Sequence, residues 1–268
     1  MRLVRRSAFM MVTAGLLAAL VVASLAIAAP KPDNKPVKVI VGDLELEGNG
    51  IFKPSALPRN KLAPISLLIS GKVRSLDPNN AHPPALKELQ VETDKNGTVE
   101  VKGYPVCPPS KIQSTTTKAA KAACGKALIG QGKTTVEIEF PESSPVMVNS
   151  DLLMFNSGVR AGITTLLVHA YITVPVPAAI VTTVKIKKIN KGRYGLLSVA
   201  SVPKIAGGSG SVTSFNLKID KKYTYKGKKL SVLNAKCPDG KLQAHATAIF
   251  ADGTKASIEF ARPCTPKG

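Results

Sequence analysis

Apolar and polar residues alternate with a period close to two along most of the chain from Pro64 onward. Residues 136–140 alternate valine, isoleucine and phenylalanine with glutamate, and residues 214–219 alternate serine, asparagine and lysine with apolar residues. Such alternation is typical of strands that bury one face and expose the other. The chain is therefore predicted to be all-β, and we interpret it as an antiparallel β-sandwich, immunoglobulin-like or jelly-roll-like.

Residues 166–174 predict a strand that is buried on both faces. One face carries Leu166, Val168 and Ala170, and the opposite face carries Leu167 and His169. Both sets are largely apolar, which indicates a central strand rather than one with a solvated face. On this interpretation His169 is a core residue with a hydrogen-bond partner; the alternative is a small polar site with Tyr171 and Thr173 on the same face.

Apolar residues at 244–250 and 256–260 predict a final hairpin. A two-residue turn at 252–253 would place the two apolar sets on opposite faces. A three-residue loop at 251–253 pairs Ala248 with Ala256, so that both sets share one face. Such a loop needs a left-handed third residue, and Gly253 stands there.

One short helix is predicted from about Thr115 to Cys124. The run from Lys118 to Ala123 favours helix, Ser114 can cap its beginning and Gly125 can end it.

The first residues are typical of a secretory signal. Arg2, Arg5 and Arg6 precede an uncharged stretch at residues 8–29, and Ala26 and Ala28 fit a cleavage site after residue 28. An uncleaved anchor is the alternative, because the apolar stretch is long enough to span a bilayer, and the arginine pair loosely resembles a twin-arginine signal. The protein is therefore expected to be secreted or held in the cell envelope, with no membrane span after cleavage.

The predicted organisation has three parts. Residues 1–28 form the signal peptide, and residues 29–63 form a Pro- and Lys-rich tether with a short β segment. Residues 64–268 form a single β-sandwich domain, for which a subdomain break near 141–150 is the alternative.

The four cysteines are expected to form two disulfides, because an exported chain reaches an oxidising compartment. Of the three pairings we predict Cys107 with Cys124, which would hold the helix to the end of the preceding strand. Cys237 with Cys264 would then close the final hairpin. A zinc site is the rival interpretation, but the four cysteines are far apart in the sequence and no two of them form a CxxC motif.

Basic residues exceed acidic residues by 37 to 17, which gives a formal net charge of +20. This balance favours association with anionic polymers, whereas the absence of tryptophan and the scatter of five tyrosines argue against specific nucleic-acid binding. Two basic clusters stand out, at residues 185–193 and 218–229. The second cluster is the candidate anion patch, and its lysines are Lys218, Lys221, Lys222, Lys226, Lys228 and Lys229.

No catalytic motif is convincing. Residues 201–204 match an S-x-x-K string, but Pro203 interrupts the helix that this motif requires. Asp94 and Asn96 are weak candidates for a calcium site, because residues 92–97 resemble half of a calcium loop; the twelfth position is Gly103 instead of glutamate. The sequence therefore predicts no catalytic residue, no metal site beyond this weak candidate and no cofactor.

Three groups of residues together resemble a family of uncharacterised secreted, β-rich proteins of actinobacterial type. They are PALKEL at 84–89 with DKNG at 94–97, YPVC at 104–107 with AC at 123–124, and VPKIAGGSGSV at 202–212. The resemblance covers most of residues 50–268. It implies bacterial export and a β-rich fold with these cysteines, and it implies no activity and no functional residue.

We therefore expect an exported, non-enzymatic envelope or extracellular protein that associates with anionic cell-wall or extracellular polymers through lysine-rich strand faces. A secreted hydrolase with a carboxylate site is one alternative, and a structural or adhesive module is the other.

Overall fold

A computed structural model of the protein describes residues 33–79 and 82–268. The predicted signal peptide, its cleavage site and the alternative anchor lie outside the described residues. Within the described ranges, no helix is both long enough and apolar enough to cross a membrane.

The described residues are mostly β-strand, with one short α-helix, α1 (Thr117–Cys124). The strands are β1 (Val37–Val41), β2 (Leu44–Lys53), β3 (Ala56–Pro58), β4 (Ala63–Pro64), β5 (Ser66–Ser75), β6 (Leu86–Asp94), β7 (Gly97–Val99), β8 (Leu128–Phe140), β9 (Ser143–Arg160), β10 (Ile163–Ile172), β11 (Ala178–Lys191), β12 (Tyr194–Ser201), β13 (Gly210–Ile219), β14 (Lys222–Tyr225), β15 (Lys228–Ser231), β16 (Leu233–Ala235), β17 (Lys241–Phe250), β18 (Lys255–Pro263) and β19 (Thr265–Lys267). Short 3-10 turns lie at Pro109–Lys111, Gly125–Ala127 and Ala206–Gly208.

Twelve of these strands form one antiparallel sheet in the order β1-β2-β5-β13-β8-β9-β10-β11-β12-β6-β17-β18. This single sheet curls into a nearly closed barrel, so the predicted all-β class is confirmed, whereas the predicted two-sheet sandwich is not what the sheet order gives. The alternation in the sequence is the same for both architectures, because each has strands with one dry and one wet face.

The two edge strands of the sheet meet along a seam, which we define as the boundary between β18 and the β1–β2 hairpin. Within the described residues β1 and β18 share no strand pairing. Side chains close the seam instead. The ring of Phe260 on β18 packs directly on Gly48 of β2, so that a Cβ added to Gly48 would lie only 3.0 Å from Cζ of Phe260. At one end, Asp33 N donates to Ala261 O over 3.1 Å.

The segment predicted as a tether includes part of the barrel wall. β2 pairs with β5 from Leu44 opposite Ser75 to Lys53 opposite Ser66, and β1 pairs with β2. The suggested break near 141–150 covers the turn between β8 and β9 and the first residues of β9, which runs from residue 143 to residue 160 and pairs with β8.

The helix α1 packs on the outer side of β9 and β10, and the predicted helix is confirmed in place. Its cap differs from the prediction, because Thr116 and not Ser114 accepts a hydrogen bond from Ala119 N. Cys107 and Cys124 form the predicted disulfide. Cys107 lies in a loop rather than at a strand end, and its N–H donates to Asn156 O of β9, so the bridge fastens α1 to the barrel wall.

The other predicted disulfide, Cys237 to Cys264, is also confirmed. It lies with small additional sheets at one end of the barrel: β4-β16-β7 and the parallel pair β19-β3. Leu57 and the two cysteines form a buried cluster there with Phe52, so this end of the barrel is packed.

The predicted register of the final hairpin is confirmed. Ala248 pairs with Ala256, Phe250 N donates to Thr254 O across the loop, and Gly253 has a φ of 91°. The inner face of β18 consequently carries Ala256, Ile258, Phe260 and Arg262 in alternation.

Candidate ligand cavity

The inner faces of the barrel strands are almost entirely apolar. The strand alternation points one residue in two toward the interior, and those positions hold mainly leucine, isoleucine, valine, alanine and phenylalanine. Six inner residues from six different strands are Leu89, Leu152, Val168, Ile180, Leu196 and Leu217. An interior of this composition offers few hydrogen-bonding groups to water or to a polar ligand.

These side chains do not fill the space that they surround. The interior contains a cavity of about 470 Å³, within the range of roughly 300–1,000 Å³ that is common for small-molecule sites. Inner residues on β10, β11, β12 and β17 are only half-buried although they point away from solvent: Val168, Ile180, Leu196 and Ala246. Their remaining accessible surface faces the cavity.

Two causes of the cavity can be read from the residues. A barrel widens as strands are added, and eight strands already give an interior that side chains just fill. Several inner positions are also small, and on β17 three of them in succession are Ala244, Ala246 and Ala248. The alternation in the sequence marked these alanines as buried, but the number of strands around them could not be read from it.

Arg262 is the buried cation on this inner surface. Its Nε donates to Gly50 O over 2.7 Å, Nη1 to Asp33 O over 2.8 Å and Nη2 to Asn49 Oδ1 over 2.8 Å. Cζ also lies 5.0 Å from the centre of the Phe260 ring. Burial lowers the pKa of the guanidinium from its ordinary value, and the Asp33 carboxylate opposes this effect.

The candidate calcium residues have protein partners in the structure. Asp94 Oδ1 accepts from Asn96 N and Nδ2, and Oδ2 accepts from Arg193 Nε and from Gln243 N. Among the residues that the structure describes, no group of three or more His, Cys, Asp or Glu side chains is placed to hold a metal ion. Asp94 here acts as a structural acceptor at the end of β6.

The lysines of the candidate anion patch lie on or beside the two-stranded β14–β15 hairpin. Its inner face is held to the barrel by Tyr223, whose ring meets that of Tyr104 at 4.9 Å and whose hydroxyl donates to Lys102 O. Lys218 forms an ion pair with Asp220. Within the described ranges, the other five have no carboxylate within salt-bridge distance and are exposed: Lys221, Lys222, Lys226, Lys228 and Lys229.

The other basic cluster is partly neutralised. Lys191 binds Glu92 over 2.9 Å, and Arg193 contacts the carboxylates of Asp94 and Asp239. These contacts raise the pKa of Arg193, with the hydrogen bond to Asp239 as the largest cause. The two clusters therefore differ in the charge they present to solvent.

Ser211, His82 and Glu137 form a chain of hydrogen bonds on the outer face of the barrel wall. Ser211 Oγ is 3.2 Å from His82 Nε2, and His82 Nδ1 is 2.9 Å from Glu137 Oε1. Ser211 is fully buried, however, and its hydroxyl also donates to Pro83 O. The three side chains thus hold residues 82–83 against β8 and β13, and none of them is part of the lining of the interior cavity.

His169 lies on the outer face of β10, beneath the segment that leads into α1. It is fully buried, its Nε2 lies 2.9 Å from Thr115 O, and its Nδ1 has no hydrogen-bond partner among the residues that the structure describes. Burial lowers the pKa of this imidazole, so the neutral form is favoured in the folded protein.

Comparison with protein-family models, with curated proteins and with solved structures found no match for this chain.

Proposed function

We propose that this protein binds an apolar ligand inside its barrel. The single observation that supports the proposal is the unfilled cavity of about 470 Å³ behind an apolar wall. Protein interiors are normally packed to the density of organic crystals, and unfilled apolar space costs stability. A ligand that fills this space recovers contacts that the side chains alone do not make.

The chemistry of the wall defines the class of ligand. An apolar cavity offers water too few partners and so favours a hydrocarbon group, as small engineered cavities that bind benzene or xenon show. The ligand is therefore one with a hydrocarbon chain or ring system, and binding is driven by removal of its apolar surface from water. The protein acts as a non-enzymatic carrier or receptor, and its two disulfides suit an oxidising, extracytoplasmic compartment.

Binding of a neutral, environment-sensitive probe such as N-phenylnaphthylamine tests the proposal. We expect saturable fluorescence enhancement with the wild-type protein. Ala246→Phe fills the cavity from β17 and should weaken probe binding at least about tenfold, whereas Thr247→Phe adds its ring to the outer face of the same strand and should leave binding unchanged. Absence of saturable binding, or equal loss in both variants, would overturn the proposal.

A second candidate function is association with anionic polymers of the cell envelope, and the β14–β15 hairpin favours it. Its five exposed lysines are not neutralised by neighbouring carboxylates within the described residues, unlike Lys191 and Arg193 of the other cluster. Clustered, solvated cations attract polyanions, and added salt screens them within about 8 Å at physiological ionic strength.

Two variants of equal charge test this second function by binding to purified cell wall at increasing salt. One replaces Lys221, Lys222, Lys228 and Lys229 with glutamine. The control replaces four dispersed, exposed lysines that form no ion pair in the described residues, namely Lys61, Lys87, Lys204 and Lys255. We expect the hairpin variant to lose more binding; equal losses would show that only the net charge acts. The hydrolase and the structural or adhesive module stay predictions from the sequence.

A further inference from the structure

Arg262 occupies an unusual position for a cation. It follows Ala256, Ile258 and Phe260 in the alternation of β18, so its side chain lies on the inner face of the barrel and borders the cavity. Only 6% of the side chain is exposed. Burying a charge is costly unless a counter-charge and hydrogen bonds compensate it.

The compensation at Arg262 is incomplete. Its three hydrogen bonds all go to neutral oxygens, on Gly50, Asp33 and Asn49. A guanidinium has five N–H groups, and three of them form hydrogen bonds within the described residues. The Asp33 carboxylate is 3.6 Å away and 53% exposed, so it pairs with the guanidinium at a distance longer than a hydrogen bond.

Arg193 provides a contrast within the same molecule. It is less buried than Arg262, yet it contacts two carboxylates, those of Asp94 and Asp239. Arg193, just before β12, is thus paired with two close carboxylates, whereas the one carboxylate paired with Arg262 within the described residues, that of Asp33, lies 3.6 Å away.

Empty space lies next to Arg262. Gly50 alternates with Gly48 and Phe52 on the inner face of β2 and accepts the hydrogen bond from Arg262 Nε. Apart from Gly50 itself and its two chain neighbours, an ideal Cβ built on Gly50 would have no atom of the described residues within 4 Å. Gly50 and Arg262 both line the cavity, so this open space belongs to the cavity and adjoins the residue that Arg262 binds.

We propose that the apolar ligand ends in a carboxylate and that Arg262 binds this carboxylate inside the barrel. The inference rests on the proposed function, because the hydrocarbon chain of the ligand occupies the cavity. A carboxylate fits the planar guanidinium and supplies a closer negative charge than Asp33 does, through charge-assisted hydrogen bonds. The ligand class is a single-chain fatty carboxylate, and Arg262 is its specificity-determining residue.

A purely structural role for Arg262 would explain its three bonds, because they connect β18 to β2 and to residue 33 across the seam. The two roles differ in what they predict for ligand preference. A structural clamp does not distinguish a carboxylate from an alcohol of the same chain length, whereas a carboxylate site does.

The first experiment uses the wild-type protein and competition of dodecanoate and dodecanol against the neutral probe, at neutral pH. We expect dodecanoate to bind at least about tenfold more tightly, the ratio typical for one hydrogen-bonded charge. Equal displacement by both competitors would overturn the carboxylate site and leave the apolar cavity intact. Failure of both competitors and of the probe to bind would instead overturn the proposed function.

Variants of Arg262 and Gly50 test whether the preference for dodecanoate over dodecanol arises at this site. Arg262→Met should remove the preference for dodecanoate while dodecanol still binds, and Arg74→Met, which removes an exposed cation on the outer face of β5, should keep the preference. Gly50→Leu fills the space beside the guanidinium without removing Arg262 and should also reduce the preference. If Arg262→Met does not fold, Gly50→Leu is the variant that tests the carboxylate site. A preference unchanged by Gly50→Leu, or lost equally in Arg74→Met, would contradict the site.

Discussion

The two sides of the barrel wall at β9 and β10 are packed in different ways. On the outer side, Phe155, Leu167 and His169 are completely covered by α1 and the loop that the Cys107–Cys124 bridge holds in place. On the inner side, Val168 of the same strand is only half-buried, although it faces the middle of the molecule. The outer core is filled and stabilises the fold, whereas the inner surface leaves contacts unmade that a ligand can make.

Two leucines test this contrast most strongly. Leu167→Ala opens a cavity in the filled outer core and should lower the free energy of unfolding by about 3–4 kcal/mol. Leu196→Ala removes the same atoms from the half-buried inner wall, where there is empty space already, and should cost less than about 2 kcal/mol. Urea unfolding of both variants measures the difference. Similar losses would mean that the inner wall is as well packed as the outer core.

Removing the bridge that fastens α1 sharpens the comparison. Replacement of both Cys107 and Cys124 by alanine should lower the free energy of unfolding by about 3 kcal/mol, because the unfolded chain regains the freedom of a short closed loop. Probe binding in the cavity should persist at temperatures where the variant is folded, since α1 lies outside the wall. A folded variant that no longer binds the probe would show that the two sides are coupled.

The smallest expected effect is a pH dependence that comes from the outer side. Burial lowers the pKa of His169, so below its ordinary value of 6.5 the unfolded chain binds a proton that the folded protein resists. Stability is therefore complete above about pH 6.5 and falls as the pH drops below it, by at most about 1.4 kcal/mol per pH unit. Urea unfolding at about pH 7.5 and about pH 5.5 measures this slope.

The control for this slope is His169→Gln, which keeps a side-chain N–H for the Thr115 carbonyl and does not titrate. The difference in stability between wild type and variant should narrow, or reverse in favour of the variant, as the pH falls. A difference that stays constant with pH would mean that other groups cause the acid sensitivity.

Local features of the fold could be predicted because each depends on nearby residues. The loop at 251–253 follows from the need to bring Ala248 and Ala256 to one face, and Gly253 meets its conformational demand. The two disulfides follow from the short separation of their cysteines. The predicted start of the helix is within two residues of the observed start. Only its N-cap was assigned to the wrong side chain, because the hydroxyls of Ser114 and Thr116 are equally able to accept a hydrogen bond from a backbone N–H of the first turn.

The closure of the sheet could not be predicted, because strand order is a non-local property. Neighbours such as β6 and β17, or β5 and β13, are separated by more than a hundred residues in the chain, and alternation says nothing about which strands pair. The cavity depends on that closure and was missed with it. One signal was present: Arg262 continues the inward alternation of Ile258 and Phe260, and a charged residue at a core position is a reason to look for a ligand there.

The seam has a consequence for where the wall opens first. A strand inside the sheet separates from its neighbours only after a ladder of backbone hydrogen bonds has broken, but the boundary between β1 and β18 is closed by side chains and by the Asp33 N to Ala261 O bond. The outer edges of these two strands pair with no other strand of the described residues, and their amide protons should therefore exchange with solvent deuterium through local openings, at a free energy well below that of global unfolding. The perimeter of the barrel can thus change without loss of any strand pair, and a ligand wider than the resting cavity can be accommodated at this line.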